Sequence, residues 1–150
     1  MFYGASAFDQ TLCWGIPEAA TTTDMFTGSS GSISAKSAYA MADSTALQTA
    51  VGAWCNDSIT AASTYGHIKC WDTSAVTDMS YLFGGSSIDY GADGAEISGR
   101  YCASFDTFND DISQWNTSSC TTMAAMFNGA AAFDQDLGAW EISRVITLEY

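Results

Sequence analysis

Proline is almost missing from this chain of 150 residues: Pro17 stands alone against 13 glycines, so small residues rather than proline turns punctuate it. Cations are nearly as scarce. Four Lys and Arg (Lys36, Lys69, Arg100, Arg144) face 17 Asp and Glu, for a net charge of −13. Scattered cations on so negative a chain cannot neutralise a phosphate backbone, which excludes nucleic acid and disfavours an anionic membrane surface. No stretch approaches the roughly 18 apolar residues that a spanning helix needs, so no transmembrane segment is expected here.

Several catalytic and cofactor signatures are missing too. His67 is the only histidine, and the chain has no Cys-x-x-Cys, no Gly-x-Ser-x-Gly and no glycine-rich phosphate loop. No cofactor is expected. What the chain does have is apolar mass: 47% of residues are hydrophobic and 13% aromatic against 14% charged, enough to bury a core.

That apolar mass is periodic. Trp115 and Trp140 lie 25 residues apart, while Trp71 lies 44 before Trp115, one period plus an insertion of 19. With each tryptophan as position 0, position 8 holds Met79, Met123 and Leu148, position 12 holds Phe83 and Phe127, and position −3 holds Ile68, Ile112 and Leu137. Trp14 obeys the same rule with Met25, Phe26 and Gly28, and residues 1–10 match 126–135 almost position for position. Because the array opens and stops inside a repeat, the sequence is expected to be a window on a longer one.

A unit of this size cannot bury its own apolar face, so stacking of neighbours must close the core. Trp115 and Thr117 alternate with Asn116 and Ser118 as in a strand, and Met123, Met126, Phe127 and Ala130 fall at helical spacing. The expected fold is an α/β solenoid, a leucine-rich-repeat-like right-handed coil of strand-turn-helix units. Its organisation is expected as the end of an array over 1–30, a Gly/Ser/Ala-rich linker over 31–45, a helical cap over 46–70, and repeat units over 71–150 with an insertion at 88–104. Within the cap, Ala46, Leu47, Ala50, Val51, Ala53 and Trp54 share one helical side, and Ser44 is the expected N-cap.

The strings LQTAVGAWC, YGHIKCWDTSAVTDMSYLF, FNDDISQWNTSSCTTMAAMF and AFDQDLGAW resemble the BspA-like leucine-rich-repeat family, catalogued as a Mycoplasma-type protein of unknown function, over about residues 1–30 and 46–150. Trp, Thr-Ser, Val-Thr, Met, Met-Phe, Phe-Asn/Asp and Asp-Ile/Leu recur in fixed order. The resemblance implies adhesion or protein interaction on bacterial or protist surfaces and in marine algae, and it supplies no catalytic residues. The chain departs from the pattern at Cys120 (for Val), at Gly15-Ile16-Pro17 (for Asp-Thr-Ser) and at Ile146 and Leu148.

Among polar groups, Asn109-Asp110-Asp111 and Asp134-Gln135-Asp136 sit at equivalent points of successive units, with Asp9-Gln10 a third copy, which singles out Asp110, Asp111, Asp134 and Asp136. They are the candidates for Ca²⁺, though the reading favoured is that they satisfy turn amides. Every carboxylate recurs with the repeat or lies in an insertion, so none is assigned to catalysis. His67 occupies the place of Asp111 and Asp136 and reads as a turn residue.

Of five cysteines, Cys13, Cys55, Cys70 and Cys102 are the disulfide candidates, their pairing not readable, and Cys120 is expected as a buried thiol. This usage favours an oxidising space, extracellular or lumenal. Sequons stand at Asn56 and Asn116. Tyr39, Tyr90 and Tyr101 lie in insertions and are the candidates for partner contact. The expected role is a non-enzymatic interaction or scaffold module of surface type with protein partners. The alternatives are a linker subunit of a larger assembly in an oxidising lumen, such as the thylakoid lumen of an alga, and a calcium-dependent binder.

Overall fold

The computed structural model describes residues 2–14, 22–34, 38–84 and 101–148. Two short parallel strands come first, β1 (Thr11–Leu12) and β2 (Ser32–Ile33), paired Thr11 with Ser32 and Leu12 with Ile33. Helices α1 (Ser44–Asn56) and α2 (Ser58–Tyr65) follow, then a single 3₁₀ turn at Ile68–Cys70.

Helix α1 buries Leu47, Ala50, Val51 and Trp54, the i, i+3, i+4, i+7 stripe of an amphipathic helix. Its N-cap is Asp43 and not Ser44: the Asp43 carboxylate accepts from the Ala46 amide at 2.8 Å. Ser44 is instead the first helical residue, and its hydroxyl accepts from the Asp78 amide at 3.0 Å, tying the helix start to the first repeat unit. Asp57 separates the helices. Its N–H closes the last turn of α1 on the Ala53 carbonyl, and its carboxylate caps α2 by accepting from the amides of Ile59 and Thr60. Helix α2 was not separable from α1 in the sequence pattern, since it buries only Ala61. Gly66 ends it at φ 73°, and the Gly66 carbonyl then accepts from the Trp71 indole.

The stretch 31–45, expected as a linker, is tied down where it is described. It carries β2, and Tyr39 to Met41 pair with Asp72 by two backbone bonds of 2.9 Å. The insertion at 88–104 is described only from residue 101, where it returns to α1: Cys102 is bonded to Cys55, and the Ser104 hydroxyl donates to the Cys55 carbonyl.

Within the units, the strand expected at 115–118 and the helical turn expected at 123–130 are replaced by turns. Among the described residues from Trp71 onward, the parallel bridges between units fall at position 7, Asp78 with Thr122 and Thr122 with Thr147. The backbone explains the missing helix. Position 10 is left-handed in three units (Asp24 φ 63°, Tyr81 φ 60°, Ala125 φ 50°), and position 14 is left-handed at Gly28 and Gly129, both at φ 77°. Two such residues four apart interrupt any right-handed run.

The core runs from the α1 stripe through Trp71, Val76, Met79, Leu82 and Phe83 to Ile112, Trp115 and Met123. Trp71, Trp115 and Trp140 stack at 6.1 and 6.4 Å, close to parallel. Each later indole N–H donates to the position −3 carbonyl of the unit before, Trp115 to Ile68 and Trp140 to Ile112. In return the buried hydroxyls of Thr73 and Thr117 donate to the position 1 carbonyls of the unit after, on Asn116 and Glu141. A second stack runs beside the tryptophans. Phe83 and Phe108 pair at 4.0 Å, Phe127 and Phe133 at 4.4 Å, and the two pairs lie on one another at 5.7 and 5.9 Å.

Candidate interaction face

The same side-chain device fixes the polar rim of each unit. At position 1 a carbonyl or carboxyl oxygen accepts the amide two residues on: Asp72 from Ser74 at 3.0 Å, Asn116 from Ser118 at 3.0 Å, Glu141 from Ser143 at 2.9 Å. At position −4 Asp111 accepts from Ser113 and Asp136 from Gly138. His67 does the same with Nδ1, accepting from the Lys69 amide at 3.3 Å. These are local turns that a short polar side chain closes on its own backbone.

Backbone and side-chain hydrogen bonds from Ser74 hold Asp72 below the usual carboxylate range, and those from Ser143 do so for Glu141. For Asp111 burial pushes upward, but hydrogen bonds from Lys69 and Ser113 and the Lys69 charge outweigh it and bring the carboxyl to about 2. The Lys69 ammonium sits 2.6 Å from Asp111 and also donates to Gln10, so this cation bridges the rim to the first segment. Burial pushes His67 down, against the pull of Asp110, so the neutral ring accepts the Lys69 amide.

The four Ca²⁺ candidates do not converge. Asp110 accepts from the Trp54 indole at 2.8 Å, Asp111 pairs with Lys69, Asp136 closes its turn, and the Asp134 amide donates to Asn109. Among the described residues no three His, Cys, Asp or Glu side chains group as metal ligands.

Of the tyrosines, Tyr39 meets Tyr65 edge-on at 5.1 Å with its backbone paired to Asp72. Tyr101 packs against the core over α1, where its carbonyl would lie 2.9 Å from a Cβ at Gly52. Tyr90 lies outside the described residues. Disulfides join Cys13 to Cys70 and Cys55 to Cys102, and Cys120 is a buried free thiol, its pKa raised by burial. Two disulfides are compatible with an oxidising or extracellular environment. No described helix is long and apolar enough to cross a membrane.

Among the described residues, a small hollow of about 220 Å³ is lined by the rim residues Asp72 and Asn116 together with Lys69, and two larger concave regions lie elsewhere. A polar cleft of about 530 Å³ lies between the α1–α2 junction and residues 104–110, with Asp57, Ser58, Asn109 and Asp110 in its wall. An apolar groove of about 880 Å³ opens on the outer side of the last unit, between Met126, Phe127, Leu137, Trp140 and Leu148. The recurring Met-Phe and Phe-Asn/Asp pointed in the sequence to a stacked Met and Phe ladder; the side-by-side pairing of Phe83 with Phe108 and of Phe127 with Phe133 was not read there, although Phe108 and Phe133 each stand seven residues before a tryptophan.

No curated protein matches this chain, and no solved structure does. Residues 101–150, a third of the chain, match the repeat family described as "Mycoplasma protein of unknown function, DUF285".

Proposed function

We propose that the protein is a non-enzymatic interaction module: a solenoid of stacked turn-rich units, closed at one side by the helical cap, that binds protein partners through its acidic rim. One observation carries the reading. Asp72 and Glu141 at position 1, and Asp111 and Asp136 at position −4, stand at repeated register positions, each oriented by a turn of its own backbone. Neutral Asn116 stands between Asp72 and Glu141, and Lys69 pairs with Asp111, so the rim presents separate carboxylates at repeated register positions, and their charge steers and orients a basic partner. The partner class is a protein with a Lys- or Arg-bearing surface, met in an oxidising space outside the cytosol.

The test is binding of Lys-rich and Glu-rich peptides, read by fluorescence anisotropy at low and high salt. The proposal expects the Lys-rich peptide alone to bind, to weaken with salt, and to weaken further when Glu141→Gln and Asp136→Asn are combined. Equal binding of both peptides, or turnover of a glycan or peptide by the purified chain, would contradict it.

A further inference from the structure

We infer that Asn56 is a modification site: it carries an N-linked glycan whose first sugar residues lie in the polar cleft beside it.

The chain holds two Asn-x-Ser tripeptides, Asn56-Asp57-Ser58 and Asn116-Thr117-Ser118, and the acceptor rule alone does not separate them. Their surroundings do. Asn56 is the last residue of α1, and residues 56–60 are exposed without a break across the junction of the two helices. Asp57 holds that junction extended, at φ −155°, with its N–H on the Ala53 carbonyl and its carboxylate on the Ile59 and Thr60 amides. The middle residue of the tripeptide therefore makes the local bonds, and Asn56 and Ser58 flank it at the surface. The other tripeptide is bound into the repeat. Thr117 is 1% exposed and donates to the Glu141 carbonyl, and the Asn116 side-chain oxygen accepts from both the amide and the hydroxyl of Ser118. Asn116 lines only the hollow of about 220 Å³.

Asn56 instead stands in the wall of the cleft of about 530 Å³, a volume within the roughly 300–1,000 Å³ of small-molecule sites. That wall offers the groups that sugar hydroxyls and acetamido groups bond: the hydroxyls of Ser58 and Thr107, the side-chain amide of Asn109 and the carboxylate of Asp110. It also carries Ile59, 85% exposed, against which the C–H face of a sugar ring packs. The walls are fixed by protein bonds alone. Cys55, the residue before Asn56, is bonded to Cys102, and the Ser104 hydroxyl donates to the Cys55 carbonyl at 3.1 Å. A seat built in advance spares the glycan the cost of ordering one.

The modification joins Nδ2 of Asn56 to the anomeric carbon of an oligosaccharide carried on a lipid diphosphate. The carbon–oxygen bond to phosphate breaks, the lipid diphosphate leaves with the electron pair, and the amide nitrogen gives up one proton. N-glycans belong to secreted chains, so the inference rests on the oxidising space proposed above.

The experiment is peptide mapping by mass spectrometry on the full protein isolated from its native cells, after peptide-N-glycosidase digestion in heavy-oxygen water. The expected result is the heavy label at position 56. An unmodified Asn56 overturns the inference, and the cysteines in the same map show how far the failure reaches: an intact Cys55–Cys102 bridge leaves the oxidising space standing, whereas free thiols reject both. In secreting cells Asn56→Gln and Ser58→Ala should each abolish the glycan on this peptide, and Ser58→Thr should keep it. Retention of the glycan in Ser58→Ala overturns the assignment. Seating is read by hydrogen exchange of the Ile59 and Thr60 amides, which should be at least about twofold slower in the glycosylated protein than in Asn56→Gln. Equal rates overturn the placement of the sugars in the cleft.

Discussion

The units that begin at Trp71 and Trp115 and the one that begins at Trp140 carry the same kinds of residue in the same order, yet they differ in burial. Trp71 and Trp115 are 2% and 3% exposed, while Trp140 is half-buried; at position 8 the exposure rises from 0% at Met79 to 7% at Met123 and 60% at Leu148. Apolar identity at a register position does not by itself bury a residue here. A neighbour on each side does, and the cap supplies the first neighbour: Trp54 meets Trp71 edge-on at 5.8 Å, and Ser44 accepts the position 7 amide of Asp78. Stability should accordingly be highest beside the cap and fall along the array.

The largest break in that comparison is Trp115→Ala. It removes the middle ring of the stack and the bond to the Ile68 carbonyl, and it should cost about 3–5 kcal/mol in chemical denaturation. The same change at Trp140, which among the described residues stacks on one tryptophan, Trp115, should cost about 1–2 kcal/mol. Equal costs would mean that the end unit is as well packed as the middle one.

Next in size is the Cys55–Cys102 bridge, which ties α1 to the segment that resumes the array and closes a loop of 47 residues. Replacing both cysteines by serine should lower stability by about 2–4 kcal/mol. The loss should fall on the cap and the Trp115 unit, read as faster hydrogen exchange there.

Gly129→Ala tests the left-handed turn in the outer unit. With φ at 77°, a Cβ should cost about 1–2 kcal/mol, seen as a lowered denaturation midpoint. Ala125 already bears such a conformation at position 10, so Ala125→Gly removes strain and a buried methyl together and should change stability less than Gly129→Ala does.

The smallest effects concern the polar rim and separate by pH. The depressed carboxyl of Asp111 contributes stability that is complete above the unfolded value of about 3.9 and is lost as pH falls toward 2; Lys69→Met should reduce this acid-range slope. His67 is also depressed, and for a base the sense is that the unfolded chain binds the proton first. Stability should therefore rise with pH up to about 6.5, where the unfolded histidine becomes neutral. His67→Asn can still accept the Lys69 amide and should flatten the melting temperature between pH 5 and 7.

The register of the tryptophans, of Met79 and Met123, and of the turn-closing polar residues was legible because each is a side-chain requirement that recurs. The left-handed position 10 was not, because Asp24, Tyr81 and Ala125 share a backbone angle and no side-chain property. That hidden angle is why helical spacing at Met123, Met126, Phe127 and Ala130 did not give a helix. Helix α2 escaped for a related reason: SITAASTY has no apolar stripe, and only Asp57 marks its start. The turn role of His67 was legible from its alignment with Asp111 and Asp136, whereas the cysteine pairing depended on where the chain outside the repeat returns.

The central claim is that protection comes from neighbours and declines away from the cap. Native-state hydrogen exchange tests it most directly. The amides of Met79 and Phe83, bonded to Thr122 and Met126 beneath the cap, should exchange slowest, that of Met123 faster, and that of Ile146 fastest. Protection of Ile146 equal to that of Met79 would contradict the account.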